Sequence, residues 1–214
     1  MAKHAVSAKR QATDRPASAI ALLDATAQLL SEITTIDVSL SEISKRSGVN
    51  SAMIKYHFGN KEGLLLALLE READNSMAAL RELVEMEWSA RRKLTVHIHG
   101  IINAYFKSPY LNRLIHYLVE SGSKVASQRV AEIFVSPMIE AYRSIVAQGQ
   151  REGTIGNVDA GLLYYALVGA ADHIFHASYS VPVLLGVDTL NDEIKRRYSE
   201  LLTGIFLKGL EPDD

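Results

Sequence analysis

Apolar residues recur every three to four positions along nearly the whole of this 214-residue chain, and no segment alternates apolar with polar. A strand exposing one face needs a period of two, whereas a helix resting on a core needs about 3.6 residues per turn. Ile20, Leu22, Leu23, Ala27, Leu29, Leu30 and Ile33 set the pattern, so a first helix is expected from Pro16, which a first helical turn tolerates, to about Ile33. Further helices are expected over about 77–106, 110–121, 124–152, 157–179 and 189–209, with breaks at KSPY (107–110), Gly122, EGTIGN (152–157) and the loop SVPVLLGVD (180–188). The fold class is therefore all-α. Hydrophobic residues make up 48% and charged residues 22%, which provides a core and rules out a disordered chain.

Between the first helix and the long helical remainder lies a compact unit. Ser39 and Glu42 have the spacing of a capping box, in which the serine oxygen accepts a backbone N–H and the glutamate reaches back. Leu40 and Ile43 give this second helix an apolar side, Gly48 can end it in the left-handed conformation, and Val49 can fold back. Asn50 or Ser51 can cap a third helix carrying Ala52 to Phe58, and Gly59-Asn60 stops it before a fourth. Two short helices joined by a glycine turn make a helix-turn-helix over about 39–58. With Ile54 and Phe58 inward beside Leu40, Ile43 and Val49, the residues Ser51, Ala52, Lys55 and Tyr56 face outward.

In this motif the second helix enters the major groove and its N-terminal residues face base edges. Ser51 and Ala52, with Met53 or Tyr56 beside them, are placed to read bases, Lys55 and Lys61 to neutralise phosphates, Tyr56 to donate to or press its ring on the backbone, and Ser39 to offer a hydroxyl at a helix N-terminus. A solvated helical hairpin is the plainer reading of the same residues. The capping box, glycine turn, inward apolar set and outward basic-aromatic set together favour the first, and charge adds a modest hint: residues 1–61 hold eight Lys/Arg against five Asp/Glu, while residues 62–214 hold fifteen against twenty. The net charge of −2 excludes a uniformly basic nucleic-acid coat.

The run SLSEISKRSGVNSAMIKYHFGNKEGLLLALL resembles the DNA-binding domain of the tetracycline-repressor (TetR) family over roughly residues 18–70. The ordered set Ser39, Ile43, Gly48-Val49, Tyr56-His57-Phe58, Lys61 and Leu64 carries the resemblance. It implies a cytoplasmic homodimer that binds a double-stranded DNA operator and is released by a small-molecule effector. It also implies backbone contacts for Ser39, Tyr56, His57 and Lys61, and base contacts for Ser51, Ala52 and Met53. Lys55 stands where the family most often has tyrosine, and TTIDV lacks the glycine-aromatic pair often found before the second helix. The expected organisation is a basic N-terminal arm (1–15), a three-helix helix-turn-helix domain (16–62), and a larger helical ligand-binding and dimerisation domain (63–214). The fourth helix, from Asn60-Lys61, serves as the hinge.

The remainder carries no phosphate loop, no GxSxG elbow and no HExxH, so no enzyme and no cofactor are expected. There are no cysteines, which removes disulfides, thiolate metal sites and a cysteine nucleophile. His97 and His99 point to different sides of a helix; His173 and His176 share a face beside Asp172 but lack an assigned third ligand, so no metal is expected. No run of about 18 apolar residues exists, and no membrane span or secretory signal is expected.

Trp88, Tyr105, Phe106, Arg113, His116, Tyr117, Phe134, Met138, Tyr142, Tyr164 and Tyr165 could line an effector cavity, with Arg113 and His116 suited to an anion. About half of such residues pack a core by default. Small residues and apolar stripes on the last two helices suggest a four-helix subunit interface using Leu163, Leu167, Ala170, Phe175, Leu202, Ile205 and Phe206. Two rival functions remain: an all-α small-molecule-binding protein or enzyme whose N-terminal hairpin is structural, and a protein-interaction module.

Overall fold

The computed structural model describes residues 15–33 and 35–212. The expected N-terminal arm, 1–15, lies outside them except for Arg15. Eleven α-helices account for the regular structure of the described residues: α1 (Ala17–Glu32), α2 (Leu40–Ser47), α3 (Ala52–Phe58), α4 (Lys61–Glu85), α5 (Ala90–Lys107), α6 (Leu111–Glu120), α7 (Lys124–Val130), α8 (Ser136–Arg151), α9 (Ala160–His176), α10 (Val181–Leu185) and α11 (Asp192–Gly209). A π-helical turn, Ala131–Val135, joins α7 to α8, and a 3-10 turn, Ser178–Ser180, precedes α10. No strand occurs among the described residues.

The chain divides into two compact units. One comprises residues up to Glu72 together with Arg113–Val130; the other comprises Ala73–Asn112 and Ala131–Asp214. The sequence boundary at 62/63 differs from this division, which adds the first half of α4, most of α6 and all of α7 to the helix-turn-helix.

In the first unit α1 packs against α2 and α3. Ile43 and Ile54 are at most 1% exposed, and each contributes about 1.5–3 kcal/mol by burial. Two sequence expectations change here. Leu40, expected inward, is 39% exposed, while Ile36 and Val38, in the segment taken for a plain linker, are buried. Leu40 opens α2 as its first residue, so the preceding extended chain, not the first turn, fills the space beneath.

The second unit is built on α5, α8, α9 and α11, with Leu94, Ile98, Ile102, Tyr142, Ile145, Leu163, Leu167 and Leu202 in its core. The helix expected from 77 does not begin there. Helix α4 runs 25 residues to Glu85, because Ala73, Leu80 and Leu83 continue its buried stripe through the polar DNS at 74–76. The actual break falls at Met86–Ser89. There the buried Lys93 ammonium donates to the Val84 carbonyl (2.6 Å) and to Gln148 Oε1 (2.8 Å), satisfying a carbonyl that the end of α4 leaves unpaired. The segment 180–188, expected as loop, contains α10.

Candidate nucleic-acid interface

The helix-turn-helix is built by local hydrogen bonds that the sequence encodes. Ser39 Oγ accepts from Glu42 N–H (3.1 Å) and the Ser39 N–H donates to Glu42 Oε2 (2.8 Å), completing the capping box. Ser39 also donates its hydroxyl proton to the same carboxylate (2.6 Å), and these bonds hold the Glu42 carboxyl below its ordinary pKa. Gly48 adopts φ 69°, left-handed geometry that a side chain disfavours, and its N–H reaches the Ser44 carbonyl. Ser44 Oγ donates to the Val49 carbonyl (2.7 Å), locking the turn. At the start of α3, Asn50 rather than Ser51 supplies the side-chain acceptor, for Ala52 N–H at 2.8 Å. Asn60 Oδ1 does the same for Gly63 N–H at the start of α4.

Helix α3 turns Ile54 into the core and leaves Ser51, Ala52, Lys55 and Tyr56 exposed, with Met53 half-buried at the edge. Tyr56 is 77% exposed. Lys55 has no acidic partner among the described residues. Most neighbouring cations are already paired: Arg46 makes a two-point bond to Glu32 (2.7 and 2.8 Å), Arg71 meets Asp24 (2.6 Å), and Arg129 meets Glu70 (2.8 Å). Lys61 lies 3.3 Å from Asp37, whose carboxylate is fully in solvent, a contact the sequence did not suggest.

His57 departs from its expected place. It is half-buried and its Nε2 lies 2.8 Å from Ser18 Oγ, so it ties the recognition helix to α1 instead of facing outward. A cleft of about 430 Å³ lies beside it, bounded by Pro16, Phe58, Gly63, Ala67 and the Arg15–Glu70 pair.

The residues proposed from sequence for an effector do not gather in one place. Arg113 and His116 belong to the first unit. Arg113 Nη2 donates to the Leu30 and Ile33 carbonyls, each at 2.8 Å, and so caps the end of α1. His116 Nδ1 lies 3.5 Å from Glu120. The expectation of an anion site on these two residues gives way to an intramolecular role, because the guanidinium already serves two carbonyls that helix formation orphans. Tyr117 lies exposed on the same helix. In the second unit Tyr105, Met138 and Tyr142 are buried, Trp88, Phe106, Phe134 and Tyr164 are half-buried, and Tyr165 is 75% exposed. Trp88 stacks under the Arg92 guanidinium (3.9 Å to the ring centroid). His173 and His176 are both exposed, and no group of three metal-ligating side chains occurs among the described residues.

The association residues also divide. Leu163, Leu167 and Leu202 are at most 5% exposed within their own unit, and Ala170, Phe175 and Phe206 are half-buried against the same core. Of the set, Ile205 alone is exposed, at 56%. The free apolar face of these helices is instead Leu162 and Tyr165 on α9 and Leu201 with Ile205 on α11.

A capped helix, a glycine turn and a following helix with an exposed polar stripe define a helix-turn-helix motif. Residues 22–68 match the tetR family of bacterial regulatory proteins, and residues 87–213 match the tetracyclin repressor-like C-terminal domain. The chain belongs to the tetracycline-repressor family. It is 37% identical over 65 residues to the transcriptional regulator BetI of Rhizobium meliloti, covering 28% of this chain and 32% of that one. With BetI 1 of Chromohalobacter salexigens the match is 28% identical and covers 44% and 45%. The chain thus spans less than half the length of these two relatives. It is 22% identical over 209 residues to the regulator RutR of Escherichia coli O157:H7, covering 97% and 93%. The same fold occurs in FadR of Bacillus subtilis, solved in complex with stearoyl-CoA (TM-score 0.68, 19% identity, 86% and 97% covered). It also occurs in the ketosteroid regulator KstR2 of Mycobacterium tuberculosis (TM-score 0.70, 15% identity, 94% and 98% covered). No helix among the described residues is long and apolar enough to cross a membrane.

Proposed function

We propose that this protein is a cytoplasmic transcriptional repressor that binds a near-palindromic operator as a homodimer and is released by a small-molecule effector. The observation that carries the reading is the stripe Ser51, Ala52, Lys55 and Tyr56, held outward by the burial of Ile54. Two recognition helices about 34–36 Å apart would enter successive major grooves. Ser51, Ala52 and Met53 read base edges, while Ser39, Lys55, Tyr56 and Lys61 meet the backbone. His57 acts behind them, holding α3 against α1 through Ser18. The face formed by Leu162, Tyr165, Leu201 and Ile205 pairs with its copy in the partner subunit.

The effector belongs in the second unit, whose apolar interior suits a small molecule; FadR of the same fold holds stearoyl-CoA. An effector lowers DNA affinity only by its differential affinity for the released conformer. The intramolecular bonds of Arg113 and the full burial of Leu163, Leu167 and Leu202 leave those four residues out of the proposed contacts.

The test is retardation of a palindromic promoter fragment across a salt series. Alanine at Lys55 or Tyr56 should weaken binding while the fold and dimer persist, and the Lys55 variant should flatten the salt dependence by about one counterion. Unchanged DNA binding in both variants, or no binding by the natural protein at any salt, refutes the reading.

A further inference from the structure

Segments that connect helices run over the surface and are polar as a rule. The connection between α9 and α11 departs from this: it reads SYSVPVLLG over 178–186, and α10 within it, Val181–Leu185, has no polar side chain. Val181 turns inward and is 3% exposed. Its neighbours turn outward, with Val183 87% exposed, Leu184 74% and Leu185 41%. Tyr179, on the 3-10 turn that packs against α10, is 84% exposed. A surface helix normally shows water its polar face, so large apolar side chains crowded at 179–185 mark a surface that another molecule covers.

We infer that Tyr179 and α10 form a clasp that docks on a second copy of this chain and extends the subunit face beyond α9 and α11. The inference rests on the homodimer proposed above and adds to it a surface that lies outside those two helices.

Continuity, area and charge each select this occupant. Leu162, Tyr165, Ala166, Gly169, His173 and His176 are all exposed and recur every three or four positions, so one open stripe runs along α9 and ends just before Tyr179. Leu162 and Tyr165 at its start belong to the proposed face, and the connection then leads into α11, which carries Leu201 and Ile205. A lasting homodimer buries about 2,000 Å² or more in total, about 65% of it apolar, so each subunit must bring roughly 650 Å² of apolar surface. From their exposures, Leu162, Tyr165, Leu201 and Ile205 offer roughly 500 Å², which is short of that; Tyr179, Val183, Leu184 and Leu185 offer roughly as much again. The charge around the patch turns away the other large apolar or polyanionic partners. Residues 177–193 hold Asp188, Asp192 and Glu193 and no Lys or Arg, so an anionic lipid surface or a nucleic acid would be repelled there.

The chain has no cysteine, so a single introduced thiol reports on one position. In full-length Leu184→Cys, the rate of alkylation by iodoacetamide is followed across a dilution series while sedimentation gives the fraction of dimer. The rate should fall about tenfold or more as the dimer forms, whereas Glu87→Cys, exposed on the far side of the α4–α5 break, should react at one rate throughout. Val183→Glu together with Leu184→Glu should raise the dimer dissociation constant at least about tenfold and leave the circular dichroism of the subunit unchanged, because both side chains face water within it. A Leu184→Cys rate that ignores the dimer fraction, protection that sets in only with species larger than a dimer, or an unchanged dissociation constant in the glutamate variant overturns the clasp. Leu201→Glu with Ile205→Glu separates the two claims. A dimer that survives this pair refutes the α9–α11 face, while protection at Leu184→Cys still decides the clasp; a dimer that this pair breaks, with Leu184→Cys reactive in the unbroken form, refutes the clasp alone.

Discussion

Lowering the pH should destabilise this protein through a histidine in its interior. His97 is enclosed by α5 and α8, and desolvation lowers its pKa from 6.5 to about 4. In the unfolded chain the imidazole takes a proton near 6.5, while in the folded chain it resists until about 4. The unfolded state therefore binds more protons between these values, and stability falls as pH falls through that window. Above the window the full stability is present. The loss from this one group is about 1.4 kcal/mol at about pH 5.5 and about 2.5 kcal/mol at about pH 4.5. Carboxylates such as Glu32, Glu42 and Glu152, whose pKa values are lowered by hydrogen bonds, add losses of the same sign, so the difference from a variant is needed. His97→Gln keeps a polar side chain and cannot titrate. Urea unfolding of both proteins, followed by Trp88 fluorescence at about one-unit pH steps, should give a stability difference flat above about pH 7 and moving by the amounts above below it. A difference that stays constant to about pH 4.5 would falsify the claim that folding keeps His97 uncharged.

Three more outcomes are expected. Gly63→Ala places a methyl group 2.0 Å from the Phe58 carbonyl oxygen, so the junction of α3 and α4 must shift; a loss of at least about 2 kcal/mol should appear in denaturant unfolding, whereas a neutral effect means the junction is loose. Arg113→Met removes the donor to the Leu30 and Ile33 carbonyls and should cost about 1–3 kcal/mol in the same assay, with no gain recovered by adding anions. Leu201→Glu and Ile205→Glu should shift a dimer to monomer in analytical ultracentrifugation with secondary structure retained. Leu202→Ala, one residue away but buried, should instead destabilise the fold by about 2–5 kcal/mol.

Local chemistry was legible from the residues. The capping box of Ser39 and Glu42, the left-handed Gly48 and the cap by Asn60 each depend on neighbours within a few positions, and all occur as the spacing requires. The all-helical class followed from periodicity in the same way. Periodicity shows that a helix has an apolar side, but it does not choose which neighbour covers that side. Helix α9 is apolar over most of its circumference, so Leu163 and Leu167 could not be told from Leu162 and Tyr165 until the core of the unit claimed the first pair. His57 shows the same limit at a single residue, since its partner Ser18 lies 39 positions away.

Arg113 and His97 mark the division most clearly. As sequence, Arg113 suits an anion or a salt bridge, and His97 is a helical histidine pointing away from the side that His99 takes. Tertiary structure assigned the first to orphaned carbonyls at the end of α1 and enclosed the second beside Tyr142. The sequence by itself determined the all-helical class, the caps and the helix-turn-helix motif, because those energies are local. Which polar groups are satisfied within the chain depends on contacts between distant segments, and only the packed structure decided it.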